Sequence, residues 1–226
     1  MGLKVFLSGQ KHFGLDTLKM LMGKEGVDIV GVSAPPLAKD RLYKRAWQEK
    51  IPVVDSGKLN AGTLPGGVDL IVCAHSHDFI SNRMLQKTKL GGVGYHPSLL
   101  PLHRGRDAVK WAVKLGDKVT GGTVYWLNDC VDGGPVAAQS WCFIKPGDDP
   151  MELWTRDLQP MGITLFGRVL DDLLSGDIVA IDQDESVSTW EPSIGRPPLF
   201  RPDLIMIGGA PAGYRYIKNG PRGLKT

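Results

Sequence analysis

One histidine in this sequence is placed for proton chemistry. His96 ends an apolar run and opens directly into Pro97-Ser98-Leu99-Leu100-Pro101-Leu102-His103-Arg104-Gly105. Imidazole changes charge near neutral pH and is the side chain best suited to acid–base work there. The two prolines stiffen the backbone after it, and Gly105 permits the turn into whatever follows. A core histidine capped by a rigid loop is the alternative. Further along stands Asn128-Asp129-Cys130-Val131-Asp132-Gly133-Gly134-Pro135. Asp-Gly is common in turns for geometric reasons alone. If this turn meets the His96 loop, Asp132 becomes the carboxylate that orients the imidazole.

Two other stretches invite chemistry and carry less of it. Ser8-Gly9-Gln10 ends the first apolar run. Ligands gather at such strand ends, but the residues match neither a dinucleotide fingerprint nor a P-loop, so a tight structural turn is expected. His75-Ser76-His77-Asp78 suggests a metal. If the preceding strand continues, the two histidines share a side. No third ligand stands at metal-site spacing, so polar lining of a pocket is expected and no metal.

The elements that must position these residues follow from the hydropathy pattern. Apolar runs at 4–8, 27–33, 53–54, 69–74 and 91–95 read as strands. Between them, 12–22, 37–50 and 82–88 read as helices. Such alternation indicates βαβ units and a largely parallel sheet. A helix at 105–115 precedes two longer strands, 120–127 and 135–144, whose turn favours an antiparallel pair. A long amphipathic helix spans 150–174, bent or interrupted at Pro160, capped by Asp148 or Asp149 and ended by Gly176. Residues 177–226 hold six prolines and six glycines and read as an extended arm, loose after Gly208-Gly209. One catalytic unit, 1–176, and an arm, 177–226, are expected.

Composition narrows the class. The chain has 226 residues, 42% hydrophobic and 23% charged, ordinary for a folded domain. Its net +3 is uneven: from Ile194 onward there are six Lys/Arg and one acid, leaving 21 basic and 23 acidic residues before it. The body is slightly acidic, which argues against a nucleic-acid surface there. Cys73, Cys130 and Cys142 are three, without CxxC, which suits a reducing compartment. The first apolar run is too short for a signal peptide or membrane span, so a cytoplasmic protein is expected.

His-Pro-Ser-Leu-Leu-Pro-x-x-Arg-Gly at 96–105, then Asp-Gly-Gly-Pro at 132–135 with a strand between, resembles the folate-dependent formyltransferase family, and weaker likeness runs over residues 3–175. Within the family the chain looks most like the hydrolase domain of 10-formyltetrahydrofolate dehydrogenase, sharing Gly9, Gln10, Phe13 and Gly14, the block from Tyr95 to Gly105, and Trp111. The tail is too short for the C-terminal barrel of the tRNA-formylating branch. The phosphate-binding turn of the glycinamide ribonucleotide branch is replaced by Gly9-Gln10-Lys11-His12.

The resemblance implies a Rossmann-like fold with helices on both faces and 10-formyltetrahydrofolate as co-substrate. His96 and Asp132 become catalytic. The main chain at Asp78, Phe79 and Ile80 and the loop Asn128, Asp129, Cys130 and Val131 hold the pterin, and Tyr95 packs on the opposite face. The implied reaction is formyl transfer to a small-molecule amine, with hydrolysis to formate or catalytically weak folate binding as alternatives. One position departs from the family. Gly94 stands where most members carry an asparagine that helps to stabilise the oxyanion, and His75, Ser76 and His77 are the candidate replacements. The segment 190–204 is a candidate cover for an acceptor pocket.

Overall fold

The structure, a computed structural model, describes residues 2–36 and 40–194. Seven strands form one sheet in the order β3-β2-β1-β4-β5-β6-β7. They are β1 (Leu3–Gly9), β2 (Val27–Ala34), β3 (Val53–Asp55), β4 (Leu70–Ala74), β5 (Gly92–His96), β6 (Val119–Trp126) and β7 (Val136–Phe143). The first five run parallel, β6 is antiparallel to β5, and β7 is antiparallel to β6. The helices are α1 (Lys11–Met22), α2 (Arg41–Gln48), α3 (Asn82–Leu85), α4 (Ala108–Leu115), α5 (Pro150–Leu153) and α6 (Gln159–Ser175). This is the α/β architecture expected from the alternation of elements, with the antiparallel strands following the His96 loop.

Alternation along the strands divides the core. Val5, Leu7 and Val72 face one way and pack with Leu18 and Leu21 of α1 and Phe166, Val169 and Leu170 of α6. Phe6 and Ile71 face the other way, against Leu59, Leu64, Val68 and Met84. Both faces being covered explains why the central strands are apolar throughout rather than alternating.

Several boundaries move from their expected places. The second helix begins at Arg41 because Asp40 caps it, its Oδ1 accepting from the N–H groups of Leu42 and Tyr43 at 2.9 and 3.1 Å. The other oxygen accepts from Lys11 N at 3.0 Å, pinning the start of α1 to the same residue. Residues 37–39 of the expected helix lie outside the described residues. The fourth helix starts at Ala108 rather than 105, since Gly105 and Asp107 both hold left-handed backbone, φ 87° and 64°.

The helix at 150–175 is capped by Asp149, with Glu152 completing a capping box. A π-helical turn, Trp154–Leu158, then interrupts it just ahead of Pro160. A widened turn accommodates a residue without an N–H donor. Gly176, φ 91°, ends the helix.

Residues 177–194 run back over the body. Val136 and Ile181 exchange backbone hydrogen bonds of 2.8 and 3.0 Å, and the Trp126 indole donates to Val179 O at 2.8 Å. The basic tail, including Arg196 and Arg201, the end after Gly208-Gly209 and most of the segment 190–204 lie outside the described residues.

Candidate active site

Strand β5 delivers His96 to the sheet's end, and alternation sends its neighbour the other way. Tyr95 packs with Phe13, Trp154 and Phe166, and its hydroxyl donates to Leu158 O at 2.6 Å. Tyr95 is therefore core packing, as read from the sequence. His96 is buried, 6% exposed. Its Nε2 lies 2.7 Å from the carbonyl oxygen of His103. A carbonyl only accepts, so Nε2 carries the proton. Its Nδ1 faces Asp132 Oδ2 at 3.5 Å.

The loop after His96 is rigid because its backbone is bonded at each step. Thr123, across the strand pair from His96, accepts from Leu100 N at 3.2 Å and donates to Ser98 O at 2.7 Å. Gln139 donates to Leu100 O at 3.0 Å and to the Thr123 hydroxyl at 2.8 Å. Ser98 Oγ closes the turn onto Leu102 O at 2.6 Å. His103, the residue whose carbonyl holds His96, has its own ring fixed. Nε2 is 2.8 Å from Asp117 Oδ2, and Nδ1 is 3.1 Å from Glu191 Oε1, at ion-pair distance but off the axis of a hydrogen bond. Burial alone would lower the His103 pKa; the carboxylates of Glu191 and Asp117 outweigh it and raise it.

Asp132 arrives from the turn after β6. Its backbone is left-handed, φ 51°. A Cβ at Gly134 would lie 1.7 Å from Trp126 O, so the turn closes only on glycine there. The carboxylate accepts from Gly105 N on Oδ2 at 2.7 Å and from the Tyr125 hydroxyl on Oδ1 at 2.6 Å. Thus the two sequence motifs meet as anticipated, joined by Asp132 to Gly105 and to His96.

The C-terminal segment clamps both loops. Gln183 Nε2 donates to the carbonyls of Asp132 and Gly134 at 2.8 and 2.7 Å. Its Oε1 accepts from Arg104 at 3.1 and 2.7 Å, and Glu185 takes the same guanidinium through both carboxylate oxygens at 2.8 and 2.6 Å. Thr189 pairs with Pro101 O and Arg104 N through its backbone and with His103 N through its hydroxyl. None of Gln183, Glu185 or Glu191 stands in a recognisable motif; the residues they and Thr189 hold, Pro101, His103, Arg104, Asp132 and Gly134, all lie in the two motifs.

The residues read as pterin-holding fall in two adjoining loops, tied together by the Asn82 amide donating to Asp129. Phe79 is 84% exposed and Val131 50% exposed at this junction, while Ile80 is partly buried against the second core cluster. Asn128 Oδ1 accepts from Cys130 N at 2.9 Å, and Cys130 is exposed. The Asp78 side chain turns inward. Its Oδ2 accepts from Ser8 and Ser33 at 2.8 and 2.6 Å, and its Oδ1 from Ser56 Oγ and Gly57 N at 3.0 and 2.7 Å. Burial would raise its pKa, but these donors, led by Ser33, hold it below the usual carboxylate range. This anchors the loop to the ends of β1, β2 and β3.

Ser8-Gly9-Gln10 is a structural turn, in line with its sequence: Ser8 serves Asp78, and a Cβ at Gly9 would meet Ala74 O at 2.6 Å. His75 and His77 do not continue a strand, since β4 ends at Ala74 and His75 is left-handed, φ 58°. Among the described residues no three His, Cys, Asp or Glu form a metal-ligand group. Ser76 is committed to partners other than His96. The Ser76 hydroxyl bonds Ser8 and the Asp78 N–H, and the His75 ring lies beside Trp154, which packs on Tyr95.

Comparison with known proteins agrees with this geometry. Residues 3–169 match the family model described as Formyl transferase. Mitochondrial 10-formyltetrahydrofolate dehydrogenase of Mus musculus is 33% identical over 202 residues, covering 84% of this chain and 22% of its own length. The chain thus spans less than a quarter of that relative. Phosphoribosylglycinamide formyltransferase from Bacillus halodurans superposes with TM-score 0.65 at 23% identity, covering 76% of this chain and 95% of that one. An N-formyltransferase from Helicobacter canadensis, in complex with folinic acid and dTDP-3-aminofucose, gives 0.68 at 14% identity over 84% and 70% of the two chains. The match to the family model covers most of the chain, and the sheet superposes on solved formyltransferases: the chain belongs to the formyl transferase family.

Proposed function

We propose that this chain transfers the formyl group of 10-formyltetrahydrofolate to a small-molecule amine, with His96 and Asp132 as catalytic residues. The observation that carries the reading is the meeting of the two motifs: a buried imidazole with one nitrogen held by a backbone carbonyl and the other facing a pre-oriented carboxylate. The folate would lie over the joined loops at 78–80 and 128–131, against Phe79 and Val131. Phe79 and Val131 give that surface an exposed apolar face, which suits a flat pterin ring. The unit 1–176 carries the chemistry, and residues 177–194 brace it.

In the proposed step the amine nitrogen attacks the formyl carbon and the carbonyl oxygen takes negative charge. His96, protonated on both nitrogens, satisfies the His103 carbonyl with one proton. The other lies towards Asp132 across a separation longer than a hydrogen bond, and a bound formyl oxygen can share it. Such contacts tighten when substrate arrives. The bond from carbon to N10 then breaks, N10 takes a proton from His96, and the imidazole left neutral recovers one from the attacking nitrogen. Asp132 steadies the charged ring throughout.

A second reading has water in place of the amine, giving formate. It is favoured by the ends of β1–β3, where the chain's own carboxylates Asp40 and Asp78 occupy backbone and hydroxyl donors that an anionic acceptor would need. Incubation with 10-formyltetrahydrofolate, with and without a panel of amines, separates the readings. Tetrahydrofolate release that depends on an amine supports transfer, and equal release with formate in its absence supports hydrolysis. Folate binding with no release of either kind would overturn both.

A further inference from the structure

We propose that Tyr125 is a positioning residue of the His96–Asp132 pair, its hydroxyl holding the Asp132 carboxylate so that the other oxygen faces the imidazole. The inference rests on the proposed catalytic role of that pair. It begins with register. In the antiparallel β5–β6 ladder, Gly94 stands opposite Tyr125 and His96 opposite Thr123. Residues two apart share a face and directly opposed residues project to the same side. Tyr125 therefore rises from the face that carries His96.

Gly94 makes room for it. A Cβ at Gly94 would lie 3.3 Å from both Cε1 and Cζ of the Tyr125 ring and 3.1 Å from Leu127 Cδ2. The ring thus lies across the glycine, in the space a side chain at 94 would need. Its hydroxyl has one proton, and that proton goes to Asp132 Oδ1 at 2.6 Å.

The oxygen count on Asp132 assigns the consequence. Oδ2 accepts from Gly105 N and faces His96 Nδ1. Among the described residues, Oδ1 accepts from Tyr125 alone. One backbone donor leaves a carboxylate able to rotate about its Cβ–Cγ bond; a second donor on the other oxygen fixes its plane. The ring is 9% exposed, and burial together with the charge of Asp132 holds the phenol well above its ordinary pKa. It remains a donor wherever the enzyme works.

Tyr125→Phe removes the hydroxyl and nothing else. The expected result is a fall in kcat of about tenfold to a hundredfold, with the KM for 10-formyltetrahydrofolate within about twofold, as for a group that acts only on the reacting end. An unchanged kcat, or a rise in KM alone, overturns the proposal. Gly94→Ala should reproduce the kcat loss with the hydroxyl present, because its Cβ pushes the ring aside. A reading that needs no turnover is the imidazole N–H resonance of His96 in the full chain. Tyr125→Phe should move it in the same direction as Asp132→Asn does. If Asp132→Asn moves it and Tyr125→Phe does not, Tyr125 is packing only. Activity that survives loss of His96 would instead defeat the reading on which this one stands.

Discussion

Asp78 and Asp132 both sit at strand ends of one sheet, and each is held by hydrogen bonds, yet their environments differ in kind. Asp78 receives four donors, two on each oxygen, from the ends of β1, β2 and β3. Every donor lies within hydrogen-bond distance and no cation is among them. Asp132 receives two, on a backbone forced left-handed, and turns its remaining capacity towards an imidazole at 3.5 Å. A saturated carboxylate has nothing further to offer a reacting group and acts as a brace. One held in place but left partly unsatisfied is available to a charge that appears during a reaction. The same side chain is a fastener in one half of the sheet and, in the proposed reaction, a working part in the other.

That contrast can be attacked from both sides. The largest effect is expected on the working side. His96→Ala and Asp132→Asn should each lower turnover by about 10²–10⁴-fold, with folate binding retained, as measured by single-turnover kinetics and fluorescence titration. Full activity in either would abolish the contrast. On the bracing side, Asp78→Ala should cost on the order of 2–3 kcal/mol of stability by leaving buried donors unpaired, read from urea unfolding, with kcat lowered far less than by loss of Asp132. Folate binding should weaken in that variant, because the loop carrying Phe79 and Ile80 loses its anchor.

A smaller effect tests the clamp. Gln183→Ala frees the carbonyls of Asp132 and Gly134 and should lower kcat by about tenfold, without the stability loss of Asp78→Ala. The smallest concerns pH. The folded His103 pKa is raised above its ordinary 6.5 by Glu191 and Asp117. Its stabilising contribution is therefore complete below that value and fades as pH rises through the raised one. Limited proteolysis near residue 188 should accelerate over that interval, and Glu191→Gln should flatten the dependence.

How much of this was legible in the sequence follows from what sequence can hold. The buried strands showed as apolar runs, and His96 and Asp132 showed because each lies in a contiguous motif whose prolines and glycines have one geometric meaning. Helix starts were displaced where non-glycine residues such as Asp107 adopt left-handed backbone, which composition does not announce. Tyr125 was silent because its role depends on register, on standing opposite Gly94 rather than Val93. The serines around Asp78 were silent too: Ser8, Ser33 and Ser56 are ordinary residues until the parallel strands bring their ends together. A buried acid such as Glu191, 3% exposed, leaves no local trace of the imidazole it meets.

The clamp on Arg104 has a consequence for how the molecule is made. Gln183 and Glu185 lie 79 and 81 positions downstream of the guanidinium they hold. Contacts so distant in sequence form late, after the entropy of closing the intervening chain has been overcome. During synthesis the motif loop leaves the ribosome well before its partners do. For that interval the sheet can assemble up to β5 while Arg104 remains unmatched, so the nascent chain acquires its shape before it acquires a finished catalytic centre.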